Sequence, residues 1–179
     1  MMAVWKKLRR GIRIQWNPIL FAAWAIPSGI MLLLFIINGI YPFGDRSFLF
    51  SDMYHQYMPF FSEFMNKIKS GENLFYSWNV GIGSNFLALY AYYLSSPLNW
   101  LAFLFPQSCL MEVMTYLVVV KIGFCGLSFC MYLRKHFETE SKATILFSVF
   151  YALSGYMAAY NWNIMWLDCV ILFPLIIGG

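Results

Sequence analysis

A run of 22 residues, Ile19–Ile40, carries no charged side chain. As a helix rising about 1.5 Å per residue it is roughly 33 Å long, enough to cross a hydrocarbon core of about 30 Å. Few soluble folds can bury such a segment on every side, so it dominates what the chain can become. Similar blocks follow at Glu112–Leu133, at Ala143–Tyr160 and from about Cys169. The composition agrees: 61% of residues are apolar and 11% charged, against about 45–50% and 25% in a soluble domain. The fold class expected is therefore an all-α polytopic membrane protein. No internal repeat or low-complexity tract is evident. The ending ILFPLIIGG stops inside an apolar run, which reads as the N-terminal piece of a longer protein or as a truncated gene product.

The net charge of +4 is unevenly placed. Lys6, Lys7, Arg9, Arg10 and Arg13 precede the first run with no acid among them. A basic stretch next to a span reads as a cytoplasmic segment (1–18) lying against anionic lipid, not as a nucleic-acid arm. A signal peptide would have a shorter apolar core and a small-residue cleavage site. Cys109, Cys125, Cys130 and Cys169 form no CxxC pair and read as ordinary thiols, not as a metal or disulfide framework.

Topology turns on residues 86–106, FLALYAYYLSSPLNWLAFLFP. If this segment spans, the loop RKHFETESK falls outside, against the positive-inside rule. If it does not, Arg134, Lys135 and Lys142 fall inside. Ser95, Ser96, Pro97 and Asn99 interrupt it, and Tyr90, Tyr92, Tyr93 and Trp100 suit an interface. It is read as re-entrant or lying on the outer surface. The expected layout is a first span at 19–40, an external segment 41–111, a second span at 112–133 and an inner loop 134–142. A third span at 143–160, an external loop 161–168 and the start of a fourth span at 169–179 complete it.

The external segment begins with SDMYHQYMPFFSEFMNKIKSG, 51–71. Met53, Tyr57, Phe60, Phe61, Phe64 and Ile68 form one helical stripe, and Asp52, Gln56 and Glu63 fall on one face within about 40°. Pro59 is expected to kink this helix and Gly71 to stop it. Two readings remain open. Asp52 is either an N-cap and Glu63 a solvated acid, or the acids line a site at the membrane surface. His55 could pair with Asp52 on a metal, but no second histidine is near, so a divalent metal is not supported. Gly81–Asn85 is a turn matching no phosphate-binding fingerprint. Lys121, within the second span, is either functional or a structural partner for a carboxylate elsewhere in the bundle.

Several spaced elements resemble the YfhO-type bacterial membrane proteins. They are D-x-x-x-Q-Y (Asp52, Gln56, Tyr57), Ser70-Gly71, WNVGIGSN (Trp78–Asn85), YYLSSP (Tyr92–Pro97) and MWLD (Met165–Asp168). The resemblance covers most of 19–179 and implies a GT-C-like glycosyltransferase whose first external loop carries an essential acid. It implies a polyprenyl-phosphate-linked sugar as donor and an envelope polymer such as teichoic acid as acceptor, on the outer face of the lipid bilayer. Carried onto this chain, Asp52 takes the role of the catalytic acid, and Asp168 that of a second external-loop carboxylate. The members of that family are longer, which puts the activity of this chain alone in doubt.

Glycosyl transfer needs a base for the acceptor hydroxyl, stabilisation of charge at the anomeric carbon, and donors for the departing phosphate. Asp52 fits the base. Arg46, the nearest external cation, either faces phosphate or snorkels at the interface. Tyr92, Tyr93 and Trp78 either stack on a sugar or serve as interface aromatics, and Gln56 and Tyr57 complete the expected substrate-binding set. The rivals are a transporter or flippase fragment, with Lys121 and Asp168 lining a pathway, and a non-catalytic membrane scaffold.

Overall fold

The computed structural model describes residues 17–179; the basic segment that precedes them lies outside the described residues. Helix α1, Pro18–Ile37, starts where Asn17 accepts a hydrogen bond from the Ile19 amide at 3.0 Å, with Pro18 at the position that needs no N–H. It ends earlier than Ile40, because Gly39 takes a left-handed conformation, φ 62°. Residues 40–46 then turn back, pairing Ile40 with Arg46.

The segment 51–70 is not one kinked helix. A wide π-turn, Met53–Tyr57, is followed by α2, Met58–Ser70. The Met58 amide reaches the Met53 carbonyl, five residues back. Pro59 thus falls in the first turn of α2, where its missing N–H costs nothing. Gly71, φ 70°, closes the helix. A two-stranded hairpin follows, β1 (Tyr76–Ser77) antiparallel to β2 (Ser84–Asn85). Residues 86–106 form no continuous helix. They break into α3 (Phe86–Leu89), a π-turn (Tyr90–Leu94) and a 3₁₀ stretch (Pro97–Leu104), each too short to cross a bilayer.

Helix α4, Leu110–His136, is the hub, packed against α1, α5 (Ala143–Ala152) and α7 (Ile164–Gly178). Glu112 lies in its first turn and Arg134, Lys135 and His136 in its last, each charge opposed to the local end of the helix dipole. Gly126 of α4 lies against the Ala23 carbonyl and the Pro27 ring of α1, where a Cβ would sit 2.3 Å from that oxygen. Pro27 has no N–H for the Ala23 carbonyl, so α4 packs at the gap in α1. Nearby, Ser28 Oγ donates to the Val119 carbonyl at 3.2 Å.

Residues 143–160 form two helices, α5 and α6 (Gly155–Tyr160), broken at Leu153–Ser154. Ser154 is extended and leads into Gly155, a poor pair for continuing a helix. Pro174 interrupts α7 and leaves the Val170 carbonyl without its helical donor; the Tyr151 hydroxyl of α5 supplies one at 2.8 Å. Three stretches are long and apolar enough to cross a membrane: Pro18–Ile37, Gln107–His136 and Ala143–Tyr160. Phe21, Leu33, Ile37, Phe147 and Phe150 are exposed on them, as lipid contact requires.

Candidate functional site

Asp52 stands at the cap position of the first π-turn, but its carboxylate caps nothing. Oδ1 instead accepts the Gln56 amide at 3.1 Å. Among the described residues Asp52 has no ion-pair partner, and it is only half-buried. The N-cap reading therefore gives way to a carboxylate held by one neutral donor. Ser51, just before it, is a non-glycine residue at positive φ, 49°. Strain of this kind collects at functional turns.

Tyr57, one residue after Gln56, is fully buried and donates its hydroxyl to Asn163 Oδ1. Its ring meets Tyr93 edge-on at 5.4 Å, and Tyr93 meets Tyr92 at 4.7 Å. Both Tyr57 and Tyr93 are pushed above the ordinary phenol pKa, first by burial, with Tyr92 or Tyr93 and the Asp52 charge adding to it.

Tyr92 and Tyr93 line a cavity of 530 Å³ with Ser96, Phe124, Met165 and Asp168. Asp168 is not in an external loop. It lies in the second turn of α7, which begins at Ile164. Its Oδ2 meets Lys121 Nζ at 2.7 Å, and its Oδ1 accepts the Ser96 hydroxyl at 2.9 Å. Lys121 is wholly buried and also donates to the Ile164 carbonyl at 3.1 Å. The lysine's partner is therefore within this chain, and the two groups form a buried ion pair open to the cavity on the acid's side only. Lys121 sits about 16 Å along α4 from Leu110, so Ser96 reaches toward the middle of the bundle from the segment 86–106.

Two expected members stand apart. Trp78 is 76% exposed and packs edge-on against Tyr76 at 4.8 Å, away from the cavity lining. Arg46 is exposed, its backbone tied to Gly39 and Tyr41, and it makes no ion pair among the described residues. His55 is exposed beside Tyr54. No group of three or more histidine, cysteine or acidic residues that could hold a metal ion occurs among the described residues. The four cysteines are free; Cys125 and Cys130 are buried, and Cys169 lines the cavity.

Glu63 does not share the Asp52 site. The π-turn holds one more residue per turn than an α-helix, and one residue is worth about 100°, so the two acids part company. Glu63 is buried, accepting hydrogen bonds from Ser77 at 2.5 Å and Asn79 at 3.0 Å, with Lys67 at 3.6 Å. Burial pushes its pKa up, but Ser77, Asn79 and Lys67 outweigh that and hold it below the ordinary 4.5. Its stabilisation is present above pH 4.5 and is lost as pH falls through the lower folded-state value. Thermal unfolding of wild type should therefore lose ground to Glu63→Gln on acidification below about pH 4.5. A gap between the two that stays constant with pH would remove Glu63 as the ionised grip on the hairpin.

Sequence reasoning missed Ser96 and Asn163 as partners of the site. The doublet Ser95-Ser96 ahead of Pro97 was the available signal for the first. The second had none beyond its place in NWNIMWLD.

No curated protein and no solved structure matches the chain. The family model described as bacterial membrane protein YfhO matches residues 23–179, a stretch that holds most of α1, the Asp52 turn, the tyrosine-lined cavity and the Lys121–Asp168 pair. The chain therefore belongs to the YfhO family of bacterial membrane proteins.

Proposed function

We propose that this chain belongs to a GT-C-like glycosyltransferase. It would move a sugar from a polyprenyl-phosphate donor to an envelope polymer such as teichoic acid on the outer face of the membrane, with the N-terminus cytoplasmic. The observation that carries the reading is the Asp52 carboxylate. It is half-buried, not used as a cap and free of any cation among the described residues; it does not itself line the 530 Å³ cavity, but Tyr57, on the same turn, packs edge-on against Tyr93 of the cavity wall. A carboxylate so placed is available as a base.

In the proposed reaction Asp52 takes the proton of the acceptor hydroxyl as that oxygen bonds to the anomeric carbon. The bond from that carbon to the phosphate oxygen breaks, and polyprenyl phosphate leaves with the electron pair. Tyr92 and Tyr93 offer faces and hydroxyls for the sugar. Asp168, fixed by Lys121 and Ser96, offers an acceptor for sugar hydroxyls. Lys121 is already neutralised by Asp168, so the leaving phosphate has to be met by groups beyond this cavity lining. The transporter reading fares worse, since it needs a wet Lys121 and that residue is wholly enclosed.

A short-chain polyprenyl-phosphate sugar bearing a photoreactive group on the sugar tests the assignment. In membranes carrying the full-length protein, cross-links should fall on residues 92–98 and 165–172. Cross-links confined to the lipid-facing side of α1 would remove the cavity as the donor site.

A further inference from the structure

At the basic end of the bundle, α1, α4 and α7 leave a second cavity, of 370 Å³, far along α4 from the Asp52 site. Leu20, Met131, Pro174 and Leu175 wall it, and Met131 and Leu175 are 45% and 41% exposed on its flank. Arg134 and Lys135 supply its polar lining. The Arg134 side chain is only 10% exposed. Its Nη2 pairs with Glu140, but its Nη1 is buried without a partner among the described residues. A guanidinium N–H shut away from both water and an acceptor is costly, and native folds seldom leave one so. The Lys135 ammonium lies at the same end, donating to the carbonyls of Gly178 and Gly179.

We propose that this cavity holds one anionic glycerophospholipid of the adjoining leaflet. Its phosphate meets the Arg134 guanidinium, whose Nη1 is otherwise left without an acceptor, and an acyl chain lies along Leu20, Met131 and Leu175. Two separate features favour that occupant. The two basic side chains outnumber the one acid, Glu140, paired there. The rest of the lining is apolar and suits a hydrocarbon chain, which free phosphate does not possess. Five more basic residues precede α1 in sequence, adding positive charge to the end of the chain that leads into Leu20. The site stands apart from the glycosyl-transfer reading and does not need it.

The test is lipid retention. The full chain, purified from membranes containing phosphatidylglycerol and phosphatidylcholine, would be stripped stepwise in detergent and its bound lipids counted by native mass spectrometry. Wild type should keep phosphatidylglycerol over phosphatidylcholine. Arg134→Gln should lower phosphatidylglycerol retention about fivefold, the usual weight of one basic residue at an anionic lipid surface, and narrow its lead over phosphatidylcholine. Leu175→Trp, which fills the groove with Arg134 intact, should lower retention as well, so the idea stays testable if Arg134→Gln fails to fold. Excess inorganic phosphate should leave the lipid in place. Equal retention in wild type and both variants, or displacement by inorganic phosphate alone, would overturn the proposal.

Discussion

Asp52→Asn is expected to lower glycosyl transfer by about 10²–10⁴-fold, the usual range for loss of a general base, with protein abundance unchanged. The substitution preserves size and can still accept a hydrogen bond from Gln56, the only side-chain partner Asp52 has among the described residues. What it removes is the basic carboxylate. Because the carboxylate makes no capping bond, little stability should be lost. The measurement is sugar transfer in membranes containing full-length protein, normalised to immunoblot signal. Transfer at the wild-type rate would sink the catalytic assignment and favour the scaffold reading. A fall in transfer that merely tracked a fall in abundance would reduce Asp52 to a structural residue of the π-turn.

The second large effect belongs to Asp168 and Lys121, and it is asymmetric. Lys121 is completely enclosed, whereas the Asp168 side chain keeps 23% of its surface exposed toward the cavity. Asp168→Leu leaves a buried ammonium with only the Ile164 carbonyl, and should destabilise the protein by about 3–5 kcal/mol. Lys121→Leu leaves an acid that still has Ser96 and access to the cavity, and should cost less. Changing both together removes the unpaired charge and should recover much of the loss, since a buried ion pair is often replaceable by well-packed apolar side chains. Thermal stability of the four proteins in detergent forms the cycle. Equal losses in the two single variants, with simple addition in the double, would mean that the pair is not coupled.

The bundle was legible because membrane spans announce themselves. α1 follows directly from a long uncharged run and α4 from a long apolar one, and the last-turn cations of α4 follow from the charge bias. Local backbone exceptions were harder to read. The periodicity of 51–70 assumes 100° per residue throughout, and nothing in MYHQYMP reveals that the chain widens to a π-turn ahead of Pro59. That single assumption placed Glu63 beside Asp52. Leu153-Ser154-Gly155 held a breaker signal that the surrounding hydrophobicity concealed. The resemblance and the charge-based layout put Asp168 in an external loop, whereas it lies within α7. Here Lys121, 47 positions away, supplies the countercharge that lets it enter a helix. Pairings across such separations depend on which helices become neighbours, which composition and spacing do not encode.

The hydroxyl that Tyr151 lends to the Val170 carbonyl bears on the acid two residues earlier. At about 100° per residue, the backbone of α7 at Val170 is roughly opposite the side chain of Asp168. Lys121 therefore grips α7 on one side while Tyr151 grips it on the other. With one bond on each side, α7 cannot rotate about its own axis without breaking one of them. Asp168 is mounted on a shaft with a torsional lock, and the direction in which its carboxylate faces the cavity is fixed before any ligand arrives.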